Sequence, residues 1–356
     1  MTLRILAGEV HCFRALGETW RALEAGAPAC SFFQSWSWIG CLAAERFANP
    51  VVLQAFSGDR LVGLALCNRR DGALHLTASG DARLDAVFVE HNGPLLAADA
   101  PAGTDAAMLT TALRLAGTRR LVLDGIAPSL AAALPVVTFR RQDRPAPRVE
   151  LAALRAAGVT YRQSLSGNTR HQLLRSLRGY AAQGTVTLAR AGSSEEALDW
   201  FEAMVALHGA DWGRRGLPGA FANPFMWRFH RALIDAAFPR GEVDLLRVTA
   251  GPDCVGFLYN FRWRGWIHAY QSGFERQGIG PHAKPGLTSH LLAIEAAEAE
   301  GAAVYDFLAG AARWKSSLGT AAPTLSWVEC AAATPSRRLV AGARLVAVRW
   351  KHRLRG

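Results

Sequence analysis

Residues 242–274 read EVDLLRVTAGPDCVGFLYNFRWRGWIHAYQSGF. Three runs rich in valine, leucine, isoleucine and aromatic residues are separated by GPD and RG. Short polar breaks between β-prone runs predict an antiparallel three-strand meander. Before it, "SSEEALDWFEAMVALHGADW" is a helix opened by Ser194, with Glu195 and Glu196 in the first turn, where they suit the macrodipole. A second helix runs from Asn223 to about Phe238, and a third comes after the meander from Gly286 to Glu300. Further upstream, "SGNTRHQLLRSLRGYAAQG" is a basic helix capped by Ser166 or Asn168 and stopped by Gly184, and "TVTLARA" is a strand. Downstream, "VYDFL" and "TLSWVEC" read as strands.

The first part of the chain alternates in the same style. A strand "LRILAG" leads to a helix over Phe13 to Ala25, and "SFFQSWSWIGCLAAERF" reads as one helix opened by Ser35. The stretch "VVLQAFSGDRLVGLALCNRR" is a hairpin turning at Gly58 and Asp59, and "ALHLTAS" continues the sheet. A helix from about Asp105 to Ala116, the strand "RRLVLDGI", a short helix near Ala131 and the strand "VVTFRR" complete an α/β unit. The proline-bearing, charged "RQDRPAPRVEL" marks a junction. The expected division is therefore residues 1–150, 151–334 and a basic C-terminal helix over 335–356.

A chain of 356 residues suits two domains, and 50% hydrophobic with 19% charged residues is a globular composition. The start lacks a basic-then-apolar leader and no apolar run approaches the ~20 residues that cross a bilayer, so the expected location is cytoplasmic. Cys12, Cys30, Cys41, Cys67, Cys254 and Cys330 are scattered without a C-x-x-C pair or a Cys/His cluster, which predicts neither a structural disulfide nor a metal. A net charge of +11 favours an anionic partner such as a nucleotide cofactor, RNA, an anionic glycan or a lipid headgroup.

The segment VYDFLAGAARWKSSLGT, residues 304–320, sets Asp306 in an apolar run, where a carboxylate is costly unless something pairs with it. Two roles are open. Asp306 locks the strand end by accepting backbone hydrogen bonds or pairing with Arg170, Arg175 or Arg313, or it orients or deprotonates an acceptor group. In the meander, strand alternation puts His268 and Tyr270 on one side and Gln271 on the other. His268 is either a base or a satisfied core group. A helix entered through Lys284-Pro285-Gly286 exposes first-turn N–H groups and a positive dipole end, which suit a diphosphate. Pro285 is pre-set for such a turn and Gly286 leaves room for close approach. Nucleophile elbow, Walker loop, dinucleotide fingerprint and H-E-x-x-H motifs are missing, and Cys254 and Cys330 sit in strand-like runs without a basic activating motif nearby.

The order of helices, meander, helix and strand resembles the acyl-CoA N-acyltransferase (GNAT-like) architecture. "YRQSLSGNTRHQLLRSLRGYAAQG" and "KPGLTSHLLAIEAAEAEGAAVYDFLAGAARWK" are similar to two segments of the acetyltransferases associated with cellulose and other polysaccharide biosynthesis, and together they bracket residues 161–315. That family is related to the FemAB-like peptidyl transferases, which carry two tandem acyltransferase-like domains. The resemblance implies an α/β fold of tandem GNAT-like domains, each a mixed, mostly antiparallel sheet flanked by helices, with the first a worn copy of the second. It implies acetyl-CoA or another acyl-CoA as co-substrate, lying between a strand splayed at Phe257, Leu258 and Tyr259 and the helix start at Lys284, Pro285, Gly286, Leu287 and Thr288. "RQGIG", Arg276 to Gly280, is similar to the phosphate loop of ordinary N-acetyltransferases, with its arginine one place too close.

Asp306, with His268 and Tyr270, would be catalytic. Arg170, Arg175, Gln271, Trp314 and Lys315 would meet the acceptor, Lys315 matching the family's lysine and Trp314 standing where the family usually has tyrosine. The acid usual just after the family's glycine is absent from "GAARWK". The expected reaction is acylation of a hydroxyl or amine of a saccharide or lipid-linked glycan precursor, with no DNA partner. The tail "SRRLVAGARLVAVRWKHRLRG" carries an apolar stripe that either docks on the protein or lies on anionic lipid near a polysaccharide synthase at the inner membrane face. Two rivals stand beside this reading: a FemAB-like transferase using aminoacyl-tRNA, and a non-catalytic polysaccharide-assembly subunit.

Overall fold

A computed structural model describes residues 2–276, 280 and 282–333; the expected helix over 335–356 and the centre of "RQGIG" lie outside the described residues. The chain forms two units, Met1–Asp143 with the segment from Thr324 onward, and Arg144–Pro323. The junction therefore falls within "RQDRPAPRVEL", a few residues before position 150.

The first unit carries strands β1 (Leu3–Glu9), β2 (Pro50–Ser57), β3 (Arg60–Arg70), β4 (Ala73–Leu76), β5 (Leu95–Leu96), β6 (Arg120–Ile126) and β7 (Val136–Pro145), with helices α1 (Phe13–Ala25) and α2 (Thr104–Arg114). Its sheet runs β1-β2-β3-β4-β6, then the strand Thr324–Ala332, then β7, with β5 on β3. The strand containing "TLSWVEC" was expected in the second domain, yet it pairs antiparallel with β6 through Val328↔Leu123 and Cys330↔Leu121. Val328 and Cys330 join the first core beside Leu74, Met108, Leu121 and Leu123. The expected single helix after Ser31 is instead a 3₁₀ turn and two short helices, Trp36–Ile39 and Ala43–Arg46. Ser35 does cap the first of these by accepting from Trp38 N–H, but Leu42 at φ 49° breaks the run.

β4 and β6 are parallel over only Ala73↔Arg120, Leu74↔Leu121 and His75↔Val122. Beyond His75 the space between them is taken by Asn92, whose Nδ2 donates to Leu76 O at 3.3 Å and Asp124 O at 3.0 Å. Its Oδ1 accepts from Thr77 Oγ1 at 2.7 Å and Gly93 N–H at 2.8 Å. One buried amide thus ties both strands together where they diverge.

The second unit builds a sheet in the order β8 (Arg148–Val149), β13 (Val304–Asp306), β12 (Trp266–Phe274), β11 (Asp253–Trp263), β10 (Val243–Ala250), β9 (Val186–Arg190). The predicted meander is β10, β11 and β12. Its helices are α3 (Gly167–Ala181), α4 (Ser194–Arg214), α5 (Pro224–Ala237), α6 (Pro285–Ala299) and α7 (Arg313–Leu318). Ser166 caps α3 by accepting from Thr169 N–H, and Asn223 caps α5 by accepting from Phe225 and Met226 N–H. Ser193, one residue before the expected Ser194, caps α4. Leu291 and Ile294 of α6 pack on Leu246, Leu258 and Ile267, while Phe201 of α4 meets the Tyr259 ring edge-on at 5.7 Å.

α4 rests against β12 at Gly273, where a Cβ would run into Met204 O and lie 3.1 Å from Leu207 Cβ. Backbone cannot yield as a flexible side-chain tip can. Gly273→Ala is expected to lower the unfolding free energy by about 1–3 kcal/mol, read as an earlier denaturation midpoint with unchanged m; an unchanged midpoint would mean that α4 is free to lift off the strand.

Candidate active site

β12 and β13 are parallel over three pairs only, Trp266↔Val304, Ile267↔Tyr305 and His268↔Asp306. There β13 stops. The Asp306 carboxylate accepts Leu308 N–H through Oδ1 at 2.7 Å, and Leu308 stands at φ 60°. The chain then leaves toward the start of the unit, with Phe307 N–H donating to Pro147 O at 3.1 Å and Gly310 N–H to Pro145 O at 2.9 Å. β12 continues to Phe274 with β11 as its only strand partner among the described residues.

The open edge therefore lies on β12. β11 was expected to splay, but residues 257–259 pair on one side with Leu245, Leu246 and Arg247 and on the other with Gln271, Ser272 and Gly273. Phe257, Leu258 and Tyr259 are central and buried, and the Tyr259 hydroxyl lies 3.1 Å from His230 Nδ1. Their backbone has no free edge to offer a ligand, which corrects that part of the expected cofactor site.

On β12 the register slips between Tyr259↔Gln271 and Asn260↔Ala269, so Tyr270 is the extra residue of a β-bulge. Bulges re-aim side chains and interrupt pairing, often beside active sites. This one breaks the simple alternation expected for His268, Tyr270 and Gln271. Tyr270 is buried, its ring 4.8 Å from Phe261 and 4.9 Å from His230, while Gln271 is half-buried. His268 Nδ1 lies 3.7 Å from Asp306 Oδ2, and both side chains are buried. Asp306 thus caps the strand end and stands beside His268. None of the arginines considered for it supplies an ion pair among the described residues.

At the far end of the open edge stands the start of α6. Gly286 lets this helix reach Phe274, since a Cβ there would sit 3.1 Å from the Phe274 ring. Lys284 N–H donates to Ser176 Oγ of α3 at 2.8 Å, and Ser176 Oγ is 2.8 Å from Thr288 Oγ1. Thr288 and the Lys284 amide therefore fasten α6 to α3. The Lys284 ammonium donates to Gln172 Oε1 at 3.1 Å, and Pro285 occupies the first turn. The first-turn N–H groups of Gly286 and Leu287 have no acceptor within the helix.

The remaining expected residues separate into two groups. Arg170 and Arg175 are exposed on α3, and Arg175 meets His282 beside the entry to α6. Lys315, expected to meet an anion or acceptor, instead donates to Leu308 O at 3.2 Å and Ala309 O at 3.0 Å, holding the turn that ends β13. Trp314 is 38% exposed and stacks on His290 at 5.0 Å. His290 went unnoticed in the sequence, being one buried position in a largely apolar helix. Its Nδ1 is 3.0 Å from the Tyr305 hydroxyl.

Residues 167–316 match the family model of the acetyltransferase (GNAT) domain. No curated protein matches the sequence. The crystal structure of FemX is similar over 90% of this chain and 97% of its own, with 10% identity and a TM-score of 0.57. The C-terminal domain of a protein described as a lysylphosphatidylglycerol synthetase from Agrobacterium fabrum is similar over 94% and 97%, with 10% identity and a TM-score of 0.55. L-PGS from Bacillus licheniformis is similar over 84% and 88%, with 11% identity and a TM-score of 0.50. The fold is that of tandem GNAT-like units, each a mostly antiparallel sheet flanked by helices, and the chain is an acyltransferase.

Burial, with a smaller push from the Lys315 ammonium, lowers the His290 imidazole from 6.5 to about 3. Between those values the unfolded chain holds the proton more tightly, so the stability this group contributes is complete above pH 6.5 and is lost as the pH falls toward 3. Thermal melts are expected to show a decline on acidification through that window that is shallower in His290→Phe. Parallel profiles for the two proteins would assign the decline to other groups.

Proposed function

We propose that the second unit binds an acyl-CoA, in the simplest case acetyl-CoA, along the open edge of β12 and transfers its acyl group to a hydroxyl or amine of a saccharide or lipid-linked glycan precursor. The observation that carries this reading is the stretch of β12 beyond His268 that has no second strand partner among the described residues and leads to the first turn of α6, with His208 Nδ1 3.1 Å from its Ser272 O. An amide-bearing pantetheine arm can bond to an open strand edge as an added strand would, and a diphosphate suits the N–H groups and dipole at a helix start. The family match over residues 167–316 supports the donor class. The polysaccharide-biosynthesis resemblance of "KPGLTSHLLAIEAAEAEGAAVYDFLAGAARWK" supports the acceptor class.

In this reading the acceptor oxygen or nitrogen attacks the thioester carbonyl, a C–O or C–N bond forms, and the C–S bond breaks with CoA leaving as thiol. His268 takes the acceptor proton and passes it to the departing sulfur, with Asp306 holding the imidazolium. A backbone N–H beside the Tyr270 bulge stabilises the charge on the carbonyl oxygen. Within the first unit, Asn92 fills the corresponding divergence of β4 and β6.

Calorimetry is expected to find one acetyl-CoA per chain, and thiol release should appear when sugars and glycolipid precursors are screened as acceptors. His268→Gln and Asp306→Asn, folded as judged by circular dichroism, should lower kcat/KM by about 10²–10⁴. Full turnover by Asp306→Asn would remove that residue from the chemistry. Ribonuclease-sensitive transfer would point to an aminoacyl-tRNA donor instead, and no acyl-CoA binding at all to a non-catalytic assembly subunit.

A further inference from the structure

Helix α3 precedes the meander of the second unit, and two of its residues one turn apart, Ser176 and Tyr180, are buried. Ser176 is fully engaged with Lys284 and Thr288 at the start of α6. Tyr180 differs. It is 2% exposed, its ring packs with Val248, Ala250 and Val255, and Ala283 and Leu292 flank that cluster. Its hydroxyl has no hydrogen-bond partner among the described residues.

A buried hydroxyl left without a partner costs roughly 1–3 kcal/mol, and phenylalanine would fill the same space without that cost. The location of the hydroxyl is informative. Glu275 N–H donates to Val255 O at 3.1 Å, so the tyrosine's neighbour Val255 adjoins the point where β12 runs out. Ala283 lies two residues before α6 begins. Arg276 and Glu275 are close enough to act on the phenol electrostatically. The Tyr180 side chain therefore shares its cluster with Val255, beside the end of β12, and with Ala283, just before α6. Burial is the main reason the phenol is pushed up to about 12, which keeps it a proton donor throughout the neutral range.

We propose that Tyr180 is a ligand-binding residue whose hydroxyl donates a hydrogen bond to a phosphate oxygen of the acyl donor, making α3 one wall of the diphosphate site. This rests on the acyl-CoA reading above. It adds to that reading a residue from outside the strand-helix-strand segment that carries the open edge and the helix start.

The test uses the full chain and its Tyr180→Phe variant, with CoA as the probe. Without ligand the variant should melt at the same temperature as the wild type or higher, because only an unpartnered hydroxyl is lost. Its Kd for CoA should rise about tenfold or more, the loss expected for a hydrogen bond to a charged oxygen. With a working acceptor, KM for the acyl donor should rise while kcat stays level. Wild-type affinity in Tyr180→Phe would overturn the proposal and leave the acyl-CoA reading standing. A variant that melts several degrees lower would overturn it too, by showing the hydroxyl to be a structural group. Failure of the wild type itself to bind CoA would overturn both.

Discussion

The site depends on where one short strand ends. β13 accompanies β12 for three residue pairs and then turns away, and the group that ends it is the Asp306 carboxylate. A carboxylate in an apolar interior must find donors, and the nearest donor is the N–H two residues on. Accepting it bends the chain into a turn, so stabilising the buried carboxylate and opening the strand edge are one event. The turn places Leu308 in the left-handed region, which costs a non-glycine residue about 1 kcal/mol or more. Lys315 offsets this by holding the carbonyls of Leu308 and Ala309. A charge that looks in the sequence like a site for anions is instead part of the clamp that keeps the edge open.

The two units show what the identity of one side chain does to such a divergence. In both, a parallel pair of strands separates after three residue pairs, with a helix intervening between the strands in sequence, α2 in one and α6 in the other. Asp306 accepts the Leu308 N–H of its own turn through Oδ1. Asn92 both donates and accepts. Its NH₂ bridges carbonyls on β4 and β6 while its oxygen takes two further donors, and the gap closes. The first unit repeats the divergence of the second but fills it with the Asn92 amide.

Much of this architecture was legible in the sequence, because periodicity, caps and hairpin turns are local. The meander, the cap at Ser166, the helix starting at Asn223 and the helix after Lys284 are all where short-range chemistry puts them. The illegible part is whatever local chemistry leaves open. Alternation in "TLSWVEC" says which side chains are buried, not which sheet receives them, and the strand went to the first unit. β11 and β12 carry similar apolar patterns, so nothing in either run says which one keeps a free edge; that is decided by the length of β13. The Tyr270 bulge has no glycine or proline to announce it, and it interrupts the alternation from which the faces of His268, Tyr270 and Gln271 were inferred. His290 and Tyr180 sit among apolar neighbours in helices, where nothing local sets them apart; the structure stacks His290 with Trp314 and leaves the Tyr180 hydroxyl without a hydrogen-bond partner among the described residues.

Charge divides in the same way between structure and ligand. Many arginines of the second unit are held by acids: Arg190 and Arg262 by Asp244 and Glu300, Arg162 by Glu295, and Arg276 by Asp211 at 2.7 Å. Arg170, Arg175 and Arg178 on α3 have no salt bridge among the described residues. These unneutralised charges belong to the helix whose Ser176 grips the start of α6, so they share that end of the unit with the first-turn amides and their dipole. The excess positive charge of the chain therefore acts here as a local field at the end of the open edge. On the acyl-CoA reading proposed above, that field lies where the donor's diphosphate would end.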